Sequence, residues 1–172
     1  MLVRALAVVD GAGLWLARLA AVLMAVIAIL MLGEIGSRFL FRRSLGVSWE
    51  LATYCMAAVI SLAAADTLRT GGHVRVGILL ETLPAPLARV CDAVATALGL
   101  LIVLFMLSAF GDFVLNAYQR GTRSFQPTRT PLWIPQSLVL LGLGMLWLQL
   151  LARLIRVTVL GQSMRADEGR AP

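Results

Sequence analysis

The chain has no lysine, one histidine and two cysteines among its 172 residues, and only 14% of its side chains carry charge. The lone histidine, His73, and the lack of any Cys-x-x-Cys pair leave no metal-ligand spacing. Bis-histidine haem ligation would need a second histidine. Cys55 and Cys91 stand far apart in or beside apolar runs, where small buried apolar roles are expected. Catalytic signatures are missing as well: there is no P-loop, no Gly-x-Ser-x-Gly and no His-Glu-x-x-His. These absences argue against an enzyme and against a bound cofactor.

What the chain does have is apolar surface. Hydrophobic residues make up 60% of it, and its mean hydropathy is +0.89, more than a soluble core of this size holds. All 15 basic residues are arginine and the net charge is +6. In a soluble protein that balance would raise nucleic acid as a partner. Here the arginines cluster between apolar runs, the pattern of membrane topology, so the bilayer is the expected partner and nucleic acid is not.

Four runs are long enough to cross a hydrocarbon core of roughly 30 Å: about 15–37, 48–68, 90–113 and 131–152. The first is longer than a signal-peptide core and lacks an Ala-x-Ala site to end it, so it is expected to be retained after a short tail, Met1 to Gly13. Gly71-Gly72 breaks the chain after the second run. From 74 to 83, Val74, Ile78 and Leu79 form an apolar stripe, with His73, Arg75 and Glu81 as polar positions. That pattern suits an amphipathic helix lying in the interface. Pro84-Ala-Pro86 is expected to form a non-helical turn, and Thr130-Pro131 an N-cap with proline at the first helical position. Residues 161–172 are polar and expected to be mobile. The expected fold is an all-α integral membrane protein, one domain over 1–172, with four transmembrane helices and an interfacial helix between the second and third.

Two alanine-rich stripes are candidates for close helix packing without a hydrophobic driving force: Ala17, Ala21, Ala25 and Ala57, Ser61, Ala65. The short connection from Arg38 to Gly46 makes the first two spans an antiparallel hairpin, and Glu34 and Arg38 stand in the favourable i,i+4 order. Arg153 and Arg156 mark a membrane boundary after the last span. If both termini are cytoplasmic, nine arginines lie inside, against six outside: Arg38, Arg42, Arg43, Arg120, Arg123 and Arg129. The count favours that orientation. The outer arginines either cap helix ends and meet phosphates, or present a positive surface to a partner. Glu34, Glu50, Asp66, Asp92 and Asp112 are the carboxylates at membrane level. All sit near span ends, which speaks against a proton relay at mid-membrane, and no span has the Gly/Pro-broken middle of a substrate site.

The order Arg38-Phe-Leu-Phe, Glu50-Leu-Ala-Thr-Tyr, Leu68-Arg69-Thr-Gly-Gly72-His73-Val-Arg75-Val76 and Leu83-Pro84, with Pro131-Leu-Trp133-Ile-Pro135 heading the last span, resembles the small membrane subunit of tripartite ATP-independent periplasmic (TRAP) transporters. Two positions depart from that pattern: Trp49 precedes a single Glu50 where many members pair two acids, and Gly77 stands where many have aspartate. The resemblance implies a multi-pass inner-membrane scaffold without its own substrate site. It would be bound to a large sodium-coupled membrane subunit and served by a periplasmic binding protein that delivers an organic acid. In that setting Glu50 and Arg69 would fix helix ends, and Gly72, His73 and Arg75 would seat the surface helix. Ala57, Ser61 and Ala65 would pack against neighbouring helices, while Arg42, Arg43 and Arg123 would help dock the binding protein. The alternative is a stand-alone proton-coupled exporter using Glu34 or Glu50.

Overall fold

A chain segment in hydrocarbon must satisfy its backbone internally, so long apolar runs become helices. The computed structural model describes residues 2–70, 84–126 and 128–158. Its helices are α1 (Leu2–Phe41), α2 (Val47–Arg69), α3 (Ala85–Gln119) and α4 (Trp133–Thr158). All four are long and apolar enough to cross a membrane. Among the described residues the only strand-like pairing is an isolated antiparallel bridge between Arg123 and Pro131. The expected interfacial helix (74–83) and terminal tail (161–172) lie outside the described residues.

The helices are not a closed bundle. α2 and α4 form the centre, α1 lies on α2 and reaches α4, and α3 packs on α4. The first core cluster joins Ala20 of α1 to Ala58 and Leu62 of α2, with Leu138 of α4 beside them. The second joins Leu68, Val103 and Leu150 across α2, α3 and α4. Among the glycines the tightest approach to another helix is at Gly142, where an added Cβ would sit 2.5 Å from the Ser61 carbonyl carbon. That is the small-residue contact which lets two membrane helices gain dispersion energy without water to drive them together. Large apolar side chains of α1 and α3, among them Ile29, Leu32, Leu101 and Phe105, remain exposed.

The structure departs from expectation at four places. Residues 2–13 are not a tail but part of α1, since nothing in them stops a helix and Leu6 is buried. Pro84-Ala-Pro86 does not form a separate turn: Pro84 is the N-cap and Pro86 falls in the first turn of α3, where a missing N–H costs nothing. Pro131 does not open α4. It is held in the bridge to Arg123, and the Leu132 N–H donates to the Thr122 carbonyl at 3.1 Å, so the helix starts at Trp133. The two alanine-rich stripes are used unequally within the chain. α1 packs through Leu16, Ala20 and Leu23, the face continuous with Gly13 and Glu34, and leaves Ala21 and Ala25 exposed. In α2 Ala65 is buried beside Ala58 and Leu62 and the Ser61 backbone meets Gly142, while Ala57 is exposed. Cys91, finally, is exposed rather than buried.

Replacing Gly142 by alanine should cost about 1–3 kcal/mol by overpacking against the Ser61 backbone. The thermal midpoint of the protein in detergent should fall accordingly. Gly144→Ala, where the nearest atom to an added Cβ is 4.0 Å away, should leave that midpoint unchanged.

Candidate functional site

Polar groups gather at the two ends of the helices. At the end where α1 turns into α2, Glu34 is 3% exposed. Its Oε1 accepts hydrogen bonds from Arg38 Nε at 2.8 Å and Ser44 Oγ at 2.5 Å, and its Oε2 accepts from the Leu45 N–H at 3.0 Å. The Arg38 contact is also an ion pair. One carboxylate thus holds the whole connection, which turns through Arg42 and Gly46, both at positive φ. For a residue with a Cβ such as Arg42 that conformation costs about 1–2 kcal/mol, and the Glu34 contacts help to hold it.

Glu50 lies in the first turn of α2 and is 6% exposed. Tyr54 donates to its Oε1 at 2.9 Å, and Thr128, far along the chain between α3 and α4, donates to Oε2. The hydroxyls of Ser124 and Thr130 also face the carboxylate. The segment carrying them is a short ribbon. Ser124 N–H donates to the Thr130 carbonyl at 2.9 Å, Arg129 N–H donates to the Gln126 carbonyl at 3.0 Å, and Gly121 and Arg129 take positive φ. Below it Tyr118 meets Trp133 edge-on, with centroids 5.6 Å apart, at the level where amphipathic aromatics favour the membrane boundary.

At the opposite end, Arg153 of α4 reaches Asp92 of α3 with contacts of 2.9 and 3.2 Å, and Arg156 reaches Asp10 of α1 at 2.5 Å. Gln149, buried in α4, donates through Nε2 to the Val9 carbonyl at 3.2 Å and to Asp10 Oδ1 at 3.3 Å. Gly13 makes room for it, since a Cβ there would stand 3.0 Å from that nitrogen. Charges and amides at this depth persist only when paired. Here the pairs tie three helices together.

Arg69, at the end of α2, is exposed and pairs locally with Asp66 at 2.8 Å. Ser61 is half-buried with its hydroxyl donating to the Ala57 carbonyl at 2.8 Å, Ala65 is fully buried, and Ala57 faces outward. Arg42, Arg43 and Arg123 are exposed at the Glu34–Glu50 end together with Arg120 and Arg129. Among the described residues no carboxylate pairs with any of these five. Gly72, His73 and Arg75 lie outside the described residues. Sequence reasoning missed Gly142, Gln149, Asp10 and Thr128. Gln149 carried a usable signal: it is the one amide between Leu138 and Ala152, and an amide in an apolar run needs a partner. Among the described residues no group of three or more His, Cys, Asp or Glu side chains could hold a metal ion.

Compared with known families, residues 27–159 match the model described as tripartite ATP-independent periplasmic transporters, DctQ component. No curated protein and no solved structure matches the chain. The matched stretch runs from the middle of α1 to the end of α4, so it contains Glu34, Glu50 and the Asp92–Arg153 pair.

Removing one partner of the Asp92–Arg153 pair strands the other in a poorly solvated site. Arg153→Met should therefore lower stability by up to about 3 kcal/mol, while Arg153→Met combined with Asp92→Leu should recover most of the loss. Denaturation of the purified single and double variants in detergent tests this through their non-additivity.

Proposed function

The chain belongs to the DctQ family, the small membrane component of TRAP transporters, and from that premise we propose that it is a non-catalytic scaffold within a tripartite importer. It binds the large sodium-coupled membrane subunit and supports uptake of an organic acid delivered by a periplasmic binding protein. It sits in the bacterial inner membrane with both termini cytoplasmic, so the Glu34–Glu50 end faces the periplasm.

The observation that carries this reading is the condition of the carboxylates. Glu34 accepts three hydrogen bonds and Glu50 accepts from Tyr54 and Thr128. A proton-exchanging acid must instead be released and re-engaged during the cycle, so these contacts favour a fixed structural role over the stand-alone exporter. The exposed apolar faces of α1 and α3 are suited to lipid on one side and to the large subunit on the other. Ala57, on the exposed face of α2 with Trp49, Met56 and Ile60, offers that subunit a close approach. Arg69, Gly72, His73 and Arg75 seat the segment that follows α2 at the cytoplasmic interface. Arg42, Arg43 and Arg123 attract the binding protein.

Co-expression should yield a detergent-stable complex in which the large subunit co-purifies through a tag on this chain, and recovery of this chain without it would count against the reading. Reversing Arg42, Arg43 and Arg123 together to glutamate should slow binding-protein association by about tenfold at low salt without disturbing that complex. A stopped-flow rate unaffected by the triple change would remove the docking role.

A further inference from the structure

The periplasmic docking read above for three arginines leaves Phe125 unexplained. Its side chain is fully exposed, and it stands between Arg123 and Arg129 on the ribbon that folds back over the start of α2. The bridge between Arg123 and Pro131 and the hydrogen bonds of Thr122 and Ser124 brace that ribbon. Thr128 fastens it to the buried Glu50. Phe125 is six residues beyond Gln119, the last residue of α3, and eight before Trp133, the first of α4. Flexible arginines alone suffice to meet phosphates, whereas a ring carried among them on a braced backbone suits a shaped partner, because preorganisation lowers the ordering cost of binding.

We infer that Phe125 is the apolar anchor of the docking surface and that Glu50, through Thr128, is its positioning residue. The inference rests on the proposed docking of a soluble partner. The occupant is a soluble protein face that offers carboxylates to Arg123, Arg129, Arg42 and Arg43 and an apolar recess to Phe125. Charge complementarity argues for it: these arginines are exposed and unpaired among the described residues, while both carboxylates beside them, Glu34 and Glu50, are buried and engaged. The arginines bring the partner in, and the ring, once seated, slows its departure.

The test uses the complete membrane complex in nanodiscs and the purified binding protein, with association and dissociation followed separately. Phe125→Ser should raise the dissociation rate about tenfold or more, with association nearly unchanged, and Phe125→Leu should restore most of the loss. Thr128→Val, which removes the tie to Glu50 without touching the partner, should raise dissociation about threefold to fivefold, with complex assembly intact. Glu50→Gln, which keeps the shape and loses the charge, should act in the same direction. If arginine reversal slows association while Phe125→Ser and Thr128→Val leave dissociation unchanged, the anchor is refuted and the docking reading stands. If arginine reversal also has no effect, both fall. A Phe125→Trp reporter, read as the difference from the parent complex with its native tryptophans, distinguishes the remaining occupant: added quenching by brominated lipid, unrelieved by binding protein, would place the ring in the bilayer and overturn the inference.

Discussion

A carboxylate at the edge of hydrocarbon stays charged only where donors meet it, and this chain uses that requirement to hold its helix ends. Glu34 closes the turn between α1 and α2. Glu50 draws the α3–α4 connection onto α2. Asp92 and Asp10 each take an arginine from α4. The lipid-level interior between these ends has little to hold it except shape: Gly142 against Ser61 and the alanines of α2. Polar ties therefore set which ends are neighbours, and small residues set how near the helices come. Neither suffices alone, because dispersion does not choose a partner and a tie at one end does not fix a crossing.

This division of labour suits a subunit that supports rather than moves. Glu34 closes a turn and Glu50, Asp92 and Asp10 each span two elements, so protonating or releasing any of these four would loosen the architecture instead of cycling a substrate. The central pair, α2 and α4, is packed closely, while α1 and α3 lie outside it with large apolar side chains uncovered. An open layer of this kind presents more contact surface than a compact four-helix bundle of equal length. That geometry is useful for a component whose work is done against a larger neighbour.

The four helices were legible in the sequence because bilayer thickness and backbone satisfaction leave little choice for apolar runs of that length. The rotation of each helix was not. Ala17, Ala21 and Ala25 are as small as the residues that pack, but α1 turns the neighbouring face inward, the one that carries Gly13 to Gln149 and Glu34 to Ser44. In α2 Ser61 and Ala65 pack within the chain and Ala57 faces outward. Pairings across the chain were equally hidden, since Glu50 and Thr128 are 78 residues apart and Asp10 and Arg156 are 146 apart. Local spacing did reveal Glu34 with Arg38, whose i,i+4 relation needs only one helix. The ribbon between α3 and α4 escaped for the same reason as the long-range pairs: its conformation depends on a carboxylate from another part of the chain.

The central claim is that this chain lends shape and attachment to an importer but no transport site. Sodium-dependent organic-acid uptake in proteoliposomes tests it most directly, comparing three preparations: this chain alone, the large subunit with the binding protein, and all three components together. The account predicts uptake only in the third. Uptake by this chain alone, abolished by Glu34→Gln or Glu50→Gln, would contradict it and make those carboxylates the coupling site.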